Sequence, residues 1–194
     1  MSNLEIKEFF DNLAPSWDKK QNDTEEELKS FLSILNIKKG EAILDVGCGT
    51  GIISGILFQL SSKDVIGIDI SKNMIDIAKE KYKDNPHVKF INEDFTLSNY
   101  SSYDHIVIFN AYPHFLDVNL LSEVLYNSLK EGGRVSIAHN LSRQQLDSHH
   151  AGEQVKIVSR FLLPVKQEAN QFSSKFKILK AEEDDKHYFI QLQK

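Results

Sequence analysis

The part of the chain best suited to bind a ligand is a cluster of three glycines in its first third. Gly47, Gly49 and Gly51 occupy alternate positions directly after a short apolar run. Glycine tolerates positive φ angles and lets a ligand approach the backbone closely. A helix predicted to follow would direct free amide groups and the positive end of its dipole toward the same point. The pattern therefore predicts a loop that binds an anionic or polar ligand.

An acidic residue, Asp69, ends a second apolar run and lies 18 residues after Gly51. A carboxylate at that place in a parallel sheet can accept hydrogen bonds from both hydroxyls of a ribose. The glycines are spaced G-x-G-x-G, whereas dinucleotide sites favour G-x-G-x-x-G and phosphate loops need G-K-[ST]. We therefore expect a nucleoside ligand other than a dinucleotide; the alternative is a tight turn with a surface aspartate.

The octapeptide from Leu44 to Gly51 resembles the first motif of the class I methyltransferases that use S-adenosylmethionine (SAM). The likeness extends over residues 40–140 and implies SAM as cofactor. It implies that Asp69 binds the ribose and that Ile70 and Met74 flank the adenine. It also implies that Asp94 and the Phe95 amide bond the adenine. The implied cofactor-binding residues are Trp17, Asp45, Gly47, Cys48, Gly49, Gly51, Asp69, Ile70, Met74, Asp94, Phe95 and Asn110.

A second likeness lies near the start of the sequence. Residues 9–18 are similar to the F-[FY]-D-x-x-A-x-x-[YW]-D stretch of family members that methylate small molecules, including quinone methyltransferases. In such members this stretch folds over the cofactor, which implies that Trp17 covers the methionine end of SAM. Attraction between a sulfonium and an aromatic face favours that placement. The alternative is that Trp17 and Phe9 are ordinary core residues of a helical cap.

Methyl transfer from a sulfonium is an in-line displacement, so the protein mainly aligns two molecules and excludes water. A general base is needed only where the acceptor must lose a proton, and histidine titrates near neutral pH. The candidate catalytic residues are His114, His139, His149 and His150, which follow the fourth and fifth predicted strands. We hypothesise that His139, backed by His149 or His150, contacts the acceptor. A structural or surface role is the alternative for each histidine.

The sequence near the predicted site favours neither a metal centre nor methylation of nucleobase amino groups. Metal binding by the histidines is possible, but His149 and His150 would point about 100° apart on a helix, so no metal site is predicted. The sequence from Asn110 to Pro113 lacks the paired prolines of the [DNS]-P-P-[YF] motif. Methylation of nucleobase amino groups is therefore not supported, although Asn110 could still bond the substrate or the SAM amino group. Cys48 is interpreted as a small packing residue.

The elements that would position these residues alternate between apolar runs and amphipathic segments. The predicted strands are residues 42–46, 65–69, 88–91, 103–109 and 134–138, and residues 175–180 and 187–192 would form a closing hairpin. This alternation predicts a parallel sheet that is covered on both faces. With the family resemblance, the expected fold is a doubly wound α/β, Rossmann-like sheet of seven mostly parallel strands.

The chain is predicted to be one domain of 194 residues. Residues 1–39 would form an N-terminal helical cap, with one helix over residues 3–13 that ends before Pro15, and a second that Thr24 and Glu27 begin as a capping box. Residues 40–140 would form the cofactor-binding core. Residues 141–194 would supply a substrate-side helix and the closing strands, with a mostly helical segment over 142–170.

Composition limits the class of partner. The net charge of −5 and the pI near 5.8 argue against a dedicated nucleic-acid binder. No apolar run approaches the length of a membrane span, and the first residues do not form a signal peptide, so we expect a cytoplasmic protein that does not bind a membrane. The single cysteine excludes an internal disulfide.

These observations predict a methyltransferase that acts on a small molecule. The alternatives are a methyltransferase for RNA or protein, and a module that binds SAM without catalysis. A nicotinamide dehydrogenase is disfavoured by the glycine spacing. The sequence predicts neither the acceptor, nor whether carbon, oxygen, nitrogen or sulfur is methylated, nor the oligomeric state.

Overall fold

A computed structural model of the protein describes residues 3–20, 22–149 and 157–194. Seven strands form one sheet, in the order β3-β2-β1-β4-β5-β7-β6. Strands β1 to β5 are parallel, and β7 is antiparallel to both of its neighbours. The strands are β1 (Ile43–Val46), β2 (Val65–Asp69), β3 (Val88–Asn92), β4 (Tyr103–Phe109), β5 (Leu129–His139), β6 (Lys177–Glu183) and β7 (Tyr188–Gln193). The predicted fold class is confirmed.

Helices accompany the sheet and cover its faces. They are α1 (Asn3–Trp17), α2 (Glu25–Leu32), α3 (Ser54–Ser61), α4 (Lys72–Lys81), α5 (Val118–Ser128), α6 (Arg143–His149) and α7 (Val165–Asn170). Side chains alternate across a strand, so Leu44 and Val46 of β1 enter one apolar core while Ile43 enters another. Two cores explain why the central strands are apolar throughout. No helix in the described ranges is long and apolar enough to cross a bilayer.

Helix α1 is longer than the sequence predicted. We expected the chain to break before Pro15, because proline lacks the N–H that would bond the carbonyl oxygen of the residue four positions earlier. The helix continues through Pro15 to Trp17. The carbonyl oxygen of Asp11, which Pro15 leaves without an intrahelical donor, accepts a hydrogen bond from Asn73 Nδ2 at 3.0 Å. A distant side chain thus compensates for the proline.

Strand β5 is also longer than predicted. We expected residues 134–138, with Gly132 and Gly133 closing the preceding helix, but the strand begins at Leu129. The pairing with β4 shifts register between Tyr103 and His105, which accommodates Gly132 at a φ of +74°. The glycines therefore form an irregular start of the strand.

The segment after β5 is less helical than expected. Helices α6 and α7 occupy only part of residues 142–170, and residues 157–164 are non-helical. Residues 150–156 of this prediction lie outside the described part of the chain. The closing hairpin is confirmed, with Asp184 Oδ1 accepting hydrogen bonds from the amides of Lys186 and His187.

Candidate active site

The glycine loop follows β1 at the edge of the sheet where the parallel strands end, here called the carboxyl edge. Gly47, Gly49 and Gly51 all have positive φ, at +69°, +53° and +76°. A Cβ atom on Gly47 would lie 2.5 Å from the Cβ of Ala111. Glycine is therefore required at Gly47 both by the backbone angle and by the approach of the loop that follows β4.

The loop uses its own amides more than the sequence suggested. The amides of Gly47 and Cys48 donate to the carbonyl oxygen of Ile68 at 2.8 and 3.0 Å. The Gly49 amide donates to Asp69 Oδ2 at 2.9 Å. These three amides tie the loop to β2, whereas the free amides that the sequence predicted belong to the helix that follows the loop. These three N–H groups are therefore not available to a ligand, and the loop offers a ligand the bare backbone of its glycines.

The carboxylates of Asp45 and Asp69 lie beside this loop, and both have raised pKa values. Asp69 accepts hydrogen bonds from the amides of Gly49 and Ser71 at 2.9 and 2.8 Å. Burial, with the negative charge of Asp11, raises the pKa of Asp69 to about 6. Asp45 is 1% exposed and accepts a hydrogen bond from Ser54 Oγ at 2.6 Å. Burial and the charge of Asp69 raise the pKa of Asp45 to about 7.

A cleft of about 250 Å³ opens at the carboxyl edge and brings most of the predicted residues together. The predicted residues that line it are Trp17, Asp45, Gly47, Cys48, Gly49, Asp69, Ile70, Met74, Asp94, Phe95, Asn110 and His114. Gly51 packs beneath the loop, where a Cβ would lie 2.6 Å from the ring of Phe90. Burial raises the pKa of the Cys48 thiol well above its usual range, which suits the packing role.

Helix α1 is fastened across this cleft by residues that the sequence analysis did not identify. Near its start, Asn3 donates to Asp94 and to Thr96 Oγ1. Just beyond its end, Asp18 accepts a hydrogen bond from Thr50 Oγ1 at 2.5 Å. Acidic and amide side chains on a predicted helix usually face solvent. Nothing in the sequence therefore indicates that Asn3 and Asp18 attach the helix to loops that are distant along the chain.

The middle of α1 makes a third contact, through Asp11. Its carboxylate accepts hydrogen bonds from Ser71 Oγ at 2.7 Å and from the Asn73 amide at 3.0 Å. The helix therefore contacts the loops after β3, β2 and β1 in turn and forms one wall of the cleft.

Aromatic side chains of α1 face the loop after β4 across the cleft. The ring of Phe10 meets that of Trp17 edge-on at 5.8 Å and that of His114 at 4.8 Å. The Trp17 Nε1 atom lies 3.8 Å from the position that a Cβ on Gly49 would take. Trp17 thus lies beside the glycine loop, and its contact with the methionine end of SAM stays a prediction from the resemblance.

The candidate histidines lie in different places. His114 lines the cleft, and its Nδ1 bonds the carbonyl oxygen of Val158 at 2.9 Å. A carbonyl only accepts, so Nδ1 carries the proton. His139 is fully buried, with its ring 6.1 Å from that of Tyr188, and it is not part of the cleft wall. The fold gives no support to the hypothesis that His139 contacts the acceptor. The side chain of His149, and all of His150, lie outside the described residues.

Asn110 lines the cleft at the end of β4 and has a positive φ of +54°. Its Nδ2 donates to Asn140 Oδ1 at 2.8 Å, and Asn140 in turn donates to Asp23 at 2.7 Å. Asparagine tolerates the left-handed region better than most residues. These bonds hold Asn110 in place at the end of the strand.

Comparison with known proteins identifies the domain. A family model described as "Methyltransferase domain" matches residues 43–133. Phosphoethanolamine N-methyltransferase 1 of Arabidopsis thaliana is 33% identical over 136 residues, which are 68% of this chain and 27% of that protein. Malonyl-[acyl-carrier protein] O-methyltransferase 1 of Ilyobacter polytropus is 39% identical over 106 residues, which are 52% of this chain and 38% of that protein. The chain thus spans well under half the length of these relatives.

Solved structures agree in fold. A SAM-dependent methyltransferase from Aquifex aeolicus superposes with a TM-score of 0.74 at 18% identity, over 92% of this chain and 97% of that one. The structure of a complex between the Haloferax volcanii Trm112 methyltransferase activator and a methyltransferase matches with a TM-score of 0.80 at 19% identity, over 95% and 96% of the two chains. Residues 43–133 thus match a methyltransferase domain, and the chain has the fold of SAM-dependent methyltransferases.

The matched structure from Aquifex aeolicus is SAM-dependent, and SAM is the cofactor that the glycine-loop motif implies for this chain. The residues present fit it, since the backbone of Gly47 and Gly49 leaves the loop surface open and Asp69 presents a carboxylate to the same cleft. Asp94 lies at the far side of the cleft, where Asn3 and Thr96 bond it. Assignment of individual cofactor contacts stays a prediction from the family motif.

The methyltransferase also holds a buried ion pair behind the cleft that the sequence did not suggest. Glu168 is fully buried and lies 2.8 Å from Arg160, and it accepts a hydrogen bond from Tyr112 Oη at 2.7 Å. The Arg160 amide donates to the carbonyl oxygen of Pro113 at 3.0 Å. The pair therefore ties residues 157–164 to the loop after β4 that carries His114.

Proposed function

We propose that this chain transfers a methyl group from SAM to a small molecule. The observation that carries the proposal is the cleft of about 250 Å³ between the glycine loop, α1 and the loop after β4. Bound SAM supplies a methyl group on a sulfonium, which is already a good leaving group. The chain would hold the cofactor through the Gly47–Gly49 backbone, the Asp69 carboxylate and Asp94.

The remaining task of the protein is to align the acceptor and exclude water. Phe10 and Trp17 cover one side of the cleft, and His114 lies on the other. Because Val158 holds the proton on Nδ1 of His114, Nε2 is the ring nitrogen that would accept a proton from an acceptor that must lose one. His114 is thus the candidate base that the geometry favours, in place of His139.

Relatives of other classes define the alternatives. Ribosomal RNA small subunit methyltransferase A of Mesomycoplasma hyopneumoniae is 33% identical over 89 residues, which are 46% of this chain and 34% of that protein. An RNA substrate would need a basic surface, whereas this chain has a net charge of −5. A cleft walled by α1 also suits a small acceptor better than a duplex or a folded protein. We therefore favour a small-molecule acceptor.

Purified protein incubated with methyl-labelled SAM and cell extract tests the proposal. We expect label in the small-molecule fraction and none in RNA or protein. Label in RNA or protein would replace the proposed acceptor class, and no label in any fraction would favour a module that binds SAM without catalysis.

A companion variant tests the cofactor site. Asp69→Ala should abolish detectable heat of SAM binding in calorimetry, because the cleft loses the carboxylate predicted to hold the ribose. Asp84→Asn, on an exposed surface residue, is the matched control and should bind as the wild type does. Equal binding by Asp69→Ala and wild type would remove the basis of the assignment.

A further inference from the structure

The described residues of the cleft wall include several carboxylates and neither a lysine nor an arginine. Its carboxylate residues are Asp45, Asp69, Glu93, Asp94 and Asp117. Among the residues that the structure describes, no lysine or arginine lines it. His114 is the only lining side chain within those ranges that can become a cation. An anion that entered the cleft would therefore meet like charge from several directions.

Three cations on the surrounding elements are paired with acids. Each lies beside the cleft on α1, on α4 or on the segment before α7. The pairs are Lys7–Asp11 (2.5 Å), Lys81–Asp18 (2.9 Å) and Arg160–Glu168 (2.8 Å). Each of these three cations is neutralised by its acidic partner. None of them can bind an anionic group in the cleft without breaking that ion pair.

The backbone of the glycine loop offers little compensation. The amides of Gly47, Cys48 and Gly49 bond Ile68 and Asp69, and the Gly51 amide donates to the carbonyl oxygen of Cys48 at 2.9 Å. Loops that cradle phosphate in other proteins do so with amides that point at the ligand. Here those four amides serve the protein itself.

Apolar surface dominates the rest of the cleft wall. The rings of Phe10, Trp17, Phe109 and Phe115 line it, and Leu120 lies on its rim with 40% of its surface exposed. Removing apolar surface from water stabilises a complex in proportion to the area buried. The wall therefore suits a molecule with an apolar body.

We propose that the methyl acceptor is an uncharged or cationic molecule with an apolar body, and that the cleft discriminates against acceptors that carry phosphate or carboxylate. The inference rests on the proposed function, since it describes the second substrate of the same site. SAM itself carries one net positive charge at neutral pH, which is fewer than the carboxylates of the wall even where Asp45, whose pKa is raised to about 7, is protonated. The cleft consequently stays unfavourable to an anion after the cofactor binds.

Three small aromatic probes of similar size test the charge preference. They are 2-phenylethanol, 2-phenylethylamine and 3-phenylpropionate, titrated into the protein saturated with S-adenosylhomocysteine. The chain has one tryptophan, Trp17, and it lines the cleft, so its fluorescence reports occupancy directly. We expect the alcohol and the amine to bind about tenfold or more tightly than the carboxylate.

A variant that adds a cation sharpens the test. Leu120→Lys places an ammonium on the rim and should raise the affinity of 3-phenylpropionate about tenfold while lowering that of the amine. Leu120→Gln is the matched control, because it removes the same apolar contact without adding charge. A change that is equal in the two variants would contradict an electrostatic cause.

The possible outcomes separate the inference from the function beneath it. Binding of the carboxylate as tight as that of the alcohol overturns the inference, and so does failure of all three probes when S-adenosylhomocysteine binds. Failure of S-adenosylhomocysteine itself to bind, measured by calorimetry, overturns the proposed function instead. In the turnover assay, label retained by an anion exchanger, or unretained label that mild base releases as methanol from a methyl ester, would overturn the inference. Base-stable label in the unretained pool would support it.

Discussion

The two edges of the central sheet hold their carboxylates in opposite electrostatic environments. At the carboxyl edge, burial raises the pKa values of Asp45 and Asp69 to about 7 and about 6. At the amino edge, where the parallel strands begin, burial also opposes ionisation of Glu41. Hydrogen bonding to His105, the Lys38 amide and Arg134 nevertheless lowers the pKa of Glu41 to about 2.

The difference lies in the partners supplied by the fold. Glu41 has the Arg134 guanidinium at 2.6 Å and the His105 ring at 3.5 Å. Among the residues that the structure describes, Asp45 accepts a hydrogen bond from the hydroxyl of Ser54 and lies near the charge of Asp69. Glu41 therefore has its cation within the chain, whereas under the proposed function the sulfonium of SAM would supply a cation near Asp45 and Asp69.

Breaking the ion pair between Arg134 and Glu41 at the amino edge should have the largest effect on stability. Arg134→Met would leave the Glu41 carboxylate without its cation, so we expect the free energy of unfolding to fall by about 3 kcal/mol. Urea denaturation measures this. Lys130→Met is the control, since its ion pair with Asp104 is exposed and should contribute about 1 kcal/mol or less. Affinity for S-adenosylhomocysteine should not change in either variant; a loss in Arg134→Met alone would mean that the two edges are coupled.

Neutralising the carboxyl edge should act in the other direction. Asp45→Asn removes a charge whose ionisation burial opposes and keeps an oxygen to accept from Ser54. We expect the free energy of unfolding at pH 8 to rise by about 2 kcal/mol. SAM affinity, measured by calorimetry, should fall about tenfold because the sulfonium loses a nearby negative charge. A variant that is less stable than wild type would show that the charge of Asp45 is already compensated.

The pH dependence of stability should show both edges at once. Because the pKa of Glu41 is lowered from 4.5 to about 2, its carboxylate stabilises the fold fully at pH values above 4.5. This contribution is lost as the pH falls toward 2. The raised pKa values of Asp45 and Asp69 make the fold lose stability as the pH rises from about 4 to about 7.

Thermal melts across pH should therefore give a maximum near pH 4.5 in the absence of SAM. Glu41→Gln should flatten the acid side of this curve, and Asp45→Asn should flatten the neutral side. A wild-type curve that rises from pH 5 to pH 8 would contradict the pKa directions at the carboxyl edge.

Weakening the attachment of α1 should have the smallest effect. Asp18→Asn loses the ion pair with Lys81 and weakens the hydrogen bond with Thr50. Both are partly exposed, so we expect S-adenosylhomocysteine to dissociate about threefold faster, with little change in stability. Stopped-flow fluorescence of Trp17 measures the rate. Glu8→Gln, on an exposed position of the same helix, should leave it unchanged.

Local sequence patterns explain which features could be predicted. Strands β2 and β4 match the predicted residues 65–69 and 103–109, because buried parallel strands read as continuous apolar runs. The glycine loop and Asp69 were found because their spacing along the chain reflects a single strand–loop–helix unit. The cleft that contains them was therefore predictable from short segments.

Features that depend on distant partners were not predictable. The continuation of α1 through Pro15 depends on Asn73, and the attachment of α1 depends on the loops after three different strands. His105 is a polar residue within the apolar run of residues 103–109, but its neighbours Glu41 and Arg134 belong to other parts of the chain. His139 was favoured for its position after strand five, and only the packing against Tyr188 shows how deeply it is buried.

The antiparallel direction of β7 has a practical consequence for handling the protein. Because β7 runs against β5, the chain reaches Lys194 at the amino edge, where its amide donates to the carbonyl oxygen of Gly133. A fluorescent reporter or affinity tag joined after Lys194 would leave the fold on the side away from the cleft. Asn3 at the other end of the described chain bonds Asp94 of the cleft wall, so a tag on that side would be attached close to the cleft.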